Sequence, residues 1–381
     1  MDPFSEQLEE LEYNACRRRI PSDFQDKTNI IDFSSNDYLG LGNRWKDFTD
    51  EFYRQFADCG FSSSASRLLS SKQNIFSRLE DYLGDLYSKS VILFNSGYHA
   101  NVGIIGALSR LPSTLFVCDK LIHASSIDGL KIANAEFARF PHNDMTALNR
   151  LLERKQGEYR HLVLLTESVF SMEGDIAPLK ELVSLKERIP NLMICLDEAH
   201  AFGVRGQKGL GLAEEYDLID KIDFIVGTFG KAAASVGAFV AASSEARDFF
   251  INFARPFIFS TALPPVNIAW SFMMTNKLVG MNKDREYLKD LSEKFRKMTE
   301  EVTGKPNSSR SQIVPLVTGN AAKALEICRR LEKEFGIHAL PIRRPTVPPG
   351  KECIRFSLNA AMSFDTINRV RDAIRTIQNE W

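Results

Sequence analysis

The chain has 381 residues, 44% of them hydrophobic and 25% charged, proportions of a soluble globular protein long enough for two domains. A net charge of −1 with no long basic run implies neither nucleic acid nor a membrane surface as partner. The six scattered cysteines, with no CxxC pair, point to reduced thiols and no metal site, and the acidic N-terminus lacks the apolar stretch of a secretory signal, so a cytoplasmic location is expected.

In chain order, residues 2–19 predict an amphipathic helix with Phe4, Leu8, Leu11 and Ala15 on one face. Arg17, Arg18 and Arg19 close it, cations at the negative helix end. IIDFSSNDYLGLG (30–42) reads as a short strand running into a turn. Residues 72–83 predict a helix with Ile75, Phe76, Leu79 and Leu83 inward, stopped by Gly84. Strands at 91–94, 114–118, 161–167, 192–198 and 224–227 then alternate with helices at 99–109, 145–154 and 178–188, Pro178 standing at a helix start. Such alternation implies a mainly parallel sheet covered on both faces, which binds ligands beyond the carboxyl ends of its strands. FSTALPP (259–265) precedes a long helical tract. Apolar residues at helical spacing fill 284–302, and strands and helices from 312 to 379 suggest a small α+β domain.

Asp223–Ala241 (DFIVGTFGKAAASVGAFVA) predicts strand, tight turn, strand around the single lysine Lys231. A membrane span fails here, since a central lysine opposes insertion by roughly 2.5–3.5 kcal/mol and the window holds three glycines and no leucine. A phosphate loop fails too, because none of the pairs Gly230-Lys231, Gly304-Lys305 and Gly350-Lys351 is followed by Ser or Thr. A surface lysine at a turn is the ordinary alternative. What argues against it is the set of residues at other strand ends.

LMICLDEAH (192–200) places Asp197 and His200 at the end of a buried strand, where a carboxylate needs a strong donor or a cation. The helicase-like DEAH string would need an upstream phosphate loop, which is absent. FNSGYHAN (94–101) is a strand running into a helix whose first N–H groups suit a phosphate. His123 in HASS reads either as a helix-start histidine or as a flat ring stacked on a planar cofactor.

SNDYLGLG (35–42), FNSGYHAN, HNDMTAL (142–148), ESVFSMEGDIAPL (167–179), DEAHAFGVRGQKGLG (197–211), TFGK (228–231), FSTALPP and PTVPPG (345–350) together resemble the α-oxoamine synthases, a branch of the fold-type I pyridoxal-phosphate enzymes. The resemblance implies a large α/β domain with a mainly parallel seven-stranded sheet (43–268), an N-terminal helix and arm (1–42), and a linking helix with a small α+β domain (269–381). It implies that Lys231 holds pyridoxal phosphate as a Schiff base, that Asp197 pairs with its ring nitrogen and His200 with its phenolic oxygen, and that His123 stacks on the ring. Gly97, Tyr98 and Thr228 would hold the phosphate, and Ser171 would line the cofactor site. Thr261 would reach a neighbouring subunit's cofactor, which implies a homodimer with shared sites. Arg17 would lie near the acyl substrate, Arg355 would grip an amino-acid carboxylate, and Thr346 and Arg343 would contact substrate.

The activity implied is a decarboxylating condensation of an amino acid with an acyl thioester. IRRPTVPPG (342–350) resembles the string of the family branch that uses L-alanine with pimeloyl-CoA or a pimeloyl-acyl carrier protein, and that resemblance implies these substrates. The branches acting in 2-amino-3-ketobutyrate, 5-aminolevulinate and sphingoid-base formation are the alternatives, and a catalytically silent subunit is disfavoured by retention of Lys231. Three departures from the family pattern stand out: SSSASR at 62–67 in place of a glycine-rich segment, AAAS at 232–235, and Met362 where a histidine is common.

Overall fold

The predicted strand runs become strands because each is short, apolar and rich in β-branched residues, fit for burial on both faces of a sheet. The computed structural model describes residues 4–20, 30–69 and 74–379. Its strands are β1 (Ile31–Asp32), β2 (Ser90–Phe94), β3 (Thr114–Asp119), β4 (Phe137–Phe140), β5 (His161–Glu167), β6 (Leu192–Asp197), β7 (Phe224–Thr228), β8 (Ala238–Ala242), β9 (Ile313–Val317), β10 (Ile337–His338), β11 (Leu340–Ile342) and β12 (Cys353–Ser357). By compactness the chain falls into a larger unit, Leu39–Phe170 with Ile176–Glu286, and a smaller one, the described residues of Met1–Tyr38 with Ser171–Asp175 and Tyr287–Trp381. The division expected from the sequence runs by succession along the chain, whereas compactness groups the two chain ends together.

In the larger unit seven strands form one sheet in the order β2-β8-β7-β6-β5-β3-β4. All its pairings are parallel except those of β8, which runs antiparallel to both β2 and β7. The fold is α/β with a mostly parallel seven-stranded sheet. One face is filled by Phe94, Ile104, Phe116, Val163, Val226 and Val240. The helix Gly97–Leu108 begins where Ser96 Oγ accepts the His99 N–H at 3.2 Å, a serine N-cap.

Four local expectations change. β4 was not foreseen because FARF is an edge strand, mostly open to water, with no continuous apolar signal. The helix Asn74–Tyr87 runs through Gly84, because buried Tyr87 anchors its last turn through its hydroxyl to the Leu210 carbonyl at 2.7 Å. A Cβ on Gly84 would lie 2.9 Å from the Lys89 carbonyl, so the glycine admits the returning chain and does not end the helix. Residues 229–237 form a loop, not a tight turn, between β7 and β8. The N-terminal helix spans only Ser5–Tyr13, since Ala15 turns at φ 52° and the Cys16 and Arg17 N–H groups both return to the Leu11 carbonyl. Its Phe4, Leu8 and Leu11 are exposed, and Arg17 and Arg19 lie past its end beside Glu12.

In the smaller unit β11, β12 and β9 form an antiparallel sheet and β1 pairs in parallel with β10. Phe33, Phe295 and Phe356 pack ring on ring at 5.2–5.5 Å in its core. Among the described residues no helix is long and apolar enough to cross a membrane, and no cluster of His, Cys, Asp and Glu could hold a metal.

Gly227 on β7 faces Phe239 on β8, and a Cβ there would sit 2.3 Å from the ring. Gly227→Ala is expected to overpack this pair and cost about 1–3 kcal/mol in urea unfolding. A variant as stable as the parent would mean that the ring is free to move.

Candidate active site

The residues of interest in the larger unit cluster at carboxyl ends of its strands, as the topology dictates. β6 ends at Asp197, β7 ends at Thr228 with Lys231 in the loop that follows, β2 leads into the helix Gly97–Leu108, and β3 precedes His123. Asp197 is half-buried. Its Oδ2 accepts from Asn101 Nδ2 at 2.8 Å and its Oδ1 from the Ala199 N–H at 2.9 Å. His123 caps the helix Ala124–Ile132, its ring nitrogen accepting from the Ser125 N–H. Although His123 keeps much of its surface open, crowding by protein lowers its pKa below the usual histidine value. Asp197 opposes that shift and Lys231 reinforces it, so the three side chains share one electrostatic neighbourhood.

Thr228 is buried, its hydroxyl donating to the Gly237 carbonyl at 3.0 Å. It lies beside the helix start, where a Cβ on Gly97 would be 3.9 Å from the Thr228 Cβ. The first N–H groups of a helix have no partner within it, so this corner has donors that suit a phosphate. Tyr98 is partly exposed, its hydroxyl donating to Asp128 at 2.7 Å. Lys231 is half-buried and His200 buried. Thr261 is exposed. Its backbone forms a β-bridge with Ser66 and its carbonyl accepts from Asn95 Nδ2 at 2.7 Å. Helix N-terminus, threonine hydroxyl, donor-held carboxylate, lysine and imidazole fit pyridoxal phosphate, with Gly97, Tyr98 and Thr228 suited to its phosphate and Asp197 to its ring nitrogen.

In the smaller unit Arg355 on β12 is buried. Its Nε donates to the Ser171 carbonyl at 2.8 Å, its Nη1 to Ser357 Oγ at 2.6 Å, and both Nη atoms to Asn36 Oδ1 at 3.2 Å. Tyr38, fully buried, shares Asn36 Oδ1 at 3.0 Å; burial raises its pKa while the Arg355 charge pulls the other way. Arg343 Nη1 donates to the Ala15 carbonyl at 2.7 Å, and Arg18 donates to Thr346 Oγ1 at 2.8 Å, so residues 15–18 and 343–346 are tied together. Arg17 is half-buried there.

A family model, aminotransferase class I and II, matches residues 28–374. The 8-amino-7-oxononanoate synthase of Haemophilus ducreyi is 42% identical over 384 aligned positions, covering 97% of this chain and 98% of that one. The chain belongs to the α-oxoamine synthase family. It is accordingly a pyridoxal-phosphate-dependent transferase. A solved lysine-to-alanine variant of the serine palmitoyltransferase of S. paucimobilis, with a bound pyridoxal phosphate–myriocin aldimine, superposes with a TM-score of 0.88 at 27% identity over 100% of this chain and 97% of that one. An 8-amino-7-oxononanoate synthase from Francisella tularensis gives a TM-score of 0.75 at 27% identity, over 92% and 98%.

The sequence reading assigned no role to Asn101, Ser125, Asn36 or Tyr38. Asn101 had a signal, as a polar residue followed by the apolar body of the helix Gly97–Leu108. The others lie within quoted strings, and the partners that give them a role, Asn101 for Ser125 and Arg355 for Asn36 and Tyr38, are far away in sequence.

Glu198, next to Asp197, is fully buried and accepts the Leu212 and Ala213 N–H groups at 3.0 and 2.8 Å. Burial outweighs those bonds and raises its pKa from 4.5 to about 7. Its contribution to stability is therefore complete below about pH 4.5 and lost as pH rises through about 7, a difference of about 3 kcal/mol. Urea titrations should show the parent falling by that amount relative to Glu198→Gln between pH 4.5 and 7.5; parallel curves would overturn the assignment.

Proposed function

We propose that the chain condenses L-alanine with a pimeloyl thioester, carried by CoA or by an acyl carrier protein, giving 8-amino-7-oxononanoate, carbon dioxide and the free thiol. The reading rests on the relatives' name and on the IRRPTVPPG string; the observation that carries it is Arg355. A buried guanidinium is costly unless an anion compensates it. Here its partners are the Ser171 carbonyl, the Asn36 amide oxygen and the Ser357 and Tyr38 hydroxyls, with no carboxylate paired to it among the described residues. Its charge is left for an anion of carboxylate shape, which an amino acid supplies.

In this reading Lys231 holds the cofactor and, once displaced by the amino acid, takes its α-proton. A free lysine has a pKa near 10.4, so reaching the neutral base at pH 7 costs about 4–5 kcal/mol. Bound pyridoxal phosphate supplies the sink for the electron pair that this proton leaves behind. With the cofactor bound, Asp197 would keep its ring nitrogen protonated, His200 would face its phenolic oxygen, His123 would stack on the ring, and Ser171 would serve the cofactor as well. Arg17, Arg343 and Thr346 serve the acyl end. Thr261 serves a neighbouring subunit's cofactor, which makes the working enzyme a homodimer. A second reading, another α-oxoamine synthase such as a serine palmitoyltransferase, draws on the fold likeness over the whole chain.

Purified enzyme with pyridoxal phosphate should release thiol from pimeloyl thioesters fastest with alanine. Preference for serine or glycine would select the second reading, and no release with any amino acid would reject both. Lys231→Ala should abolish turnover. Arg355→Ala should weaken alanine use about 100-fold in kcat/KM, the order expected for a lost buried charge-assisted pair, and Arg355→Lys should recover part of it; equal values for parent and Arg355→Ala would remove the carboxylate role.

A further inference from the structure

The larger unit contains a hydrogen-bond chain whose direction of donation is fixed by chemistry, from Asp197 through Asn101 and Ser125 to His123. We propose that Asn101 and Ser125 are positioning residues that set His123 as a neutral imidazole carrying its proton on Nε2, while the same Asn101 amide holds the Asp197 carboxylate. A carboxylate can only accept, so the amide nitrogen of Asn101 must face Asp197 Oδ2, 2.8 Å away. That nitrogen also reaches Ser125 Oγ at 3.0 Å, and both amide hydrogens are thereby used. Ser125 Oγ accepts there, so its own hydrogen is free to donate to His123 Nδ1 at 2.7 Å. The Ser125 backbone N–H, which can only donate, meets the same Nδ1 at 3.2 Å. Two donors on one ring nitrogen leave no place for a proton on it.

All the intermediaries are sheltered. Ser125 is fully buried and Asn101 nearly so, and water has little access to replace either bond. Lys231 adds positive charge near the ring and disfavours imidazolium, while Asp197 and Asp128 oppose this; crowding of the ring by surrounding protein acts most strongly, in the direction of the neutral form. The consequence follows from what the site must hold. Asp197 favours a proton on the cofactor's ring nitrogen, and an imidazolium stacked over that ring would repel it. A neutral His123 lets Asp197 act unopposed and leaves Nε2–H as a donor. One buried amide therefore coordinates both groups.

The inference rests on dependence on pyridoxal phosphate, not on which acyl donor is used, so the tautomer is read on resting enzyme. Long-range ¹H–¹⁵N spectra of ¹⁵N-histidine-labelled protein, with and without pyridoxal phosphate, report protonation at each ring nitrogen, and His123→Gln identifies the signal. The expected result is a bare Nδ1 and a protonated Nε2 from pH 6.5 to 8. In Ser125→Ala, which leaves only the longer backbone N–H contact on Nδ1, and in Asn101→Ala, which frees the Ser125 hydroxyl to turn, a population protonated at Nδ1 should appear beside the parent form, and pyridoxal phosphate, followed by its visible absorbance, should bind at least fivefold more weakly; Ser125→Thr should keep the parent signature. A protonated Nδ1 in the parent would overturn the proposal whether or not the variants fold. So would the parent signature and affinity persisting in both alanine variants.

Discussion

The larger unit is organised around a carboxylate that a buried strand delivers and that protein donors then hold. β6 is flanked by β5 and β7, so the position of Asp197 is set by two parallel pairings before any side chain acts. Asn101 and the Ala199 N–H occupy one oxygen each. Without those donors a half-buried carboxylate would be a liability; with them it is a fixed negative charge aimed by the backbone. The helix Gly97–Leu108 contributes twice, its start beside Thr228 and, at Asn101, the clamp on Asp197. Moving that helix would disturb its start beside Thr228 and the carboxylate together, and it packs closely against Phe94 and Ala254, where a Cβ on Gly103 would lie 3.0 Å from the Phe94 ring.

The smaller unit solves the opposite problem. Arg355 is a cation in an apolar sheet, packed into place by β9 and β11 on either side of β12. Neutral oxygens from Asn36, Ser171 and Ser357 satisfy its geometry without cancelling its charge. A carboxylate partner would have stabilised the resting fold more, at the expense of any capacity to bind an anion. The contrast with Arg67 is instructive: that guanidinium, also largely buried, is paired with Glu80 at 2.8 Å and is structural.

Much of this was legible in the sequence, for identifiable reasons. Continuous apolar runs marked the central strands because parallel strands bury both faces, and Lys231, Asp197, His200 and His123 stood out because charge or imidazole beside such runs demands a partner. What escaped notice depends on backbone geometry and on pairs that no local apolar pattern marks. Gly84 was misread as a stop because its real constraint, the Lys89 carbonyl, belongs to the chain returning over the helix. The first helix ends early because of backbone at Ala15, a position whose composition favours helix. Asn101 and Ser125 are 24 residues apart, so no local pattern joins them.

The loop bearing Lys231 shows where local preference yields to the site. Ala234 adopts φ 46°, a conformation that costs an alanine roughly 1 kcal/mol and a glycine almost nothing. The surroundings impose it. Trp270 Nε1 donates to the Ala234 carbonyl at 2.9 Å, Ser235 Oγ lies 2.8 Å from Ser271 Oγ, and Asn267 Nδ2 reaches Ser235 at 2.9 Å. Three side chains of the helix Pro265–Val279 thus hold the residues just after the lysine. A glycine there would relax the strain but widen the choice of loop conformations; the alanine keeps the loop narrow, because the conformation it resists is enforced from outside. The AAAS departure is then consistent with a lysine whose backbone must not wander, the helix Pro265–Val279 holding the residues that follow it.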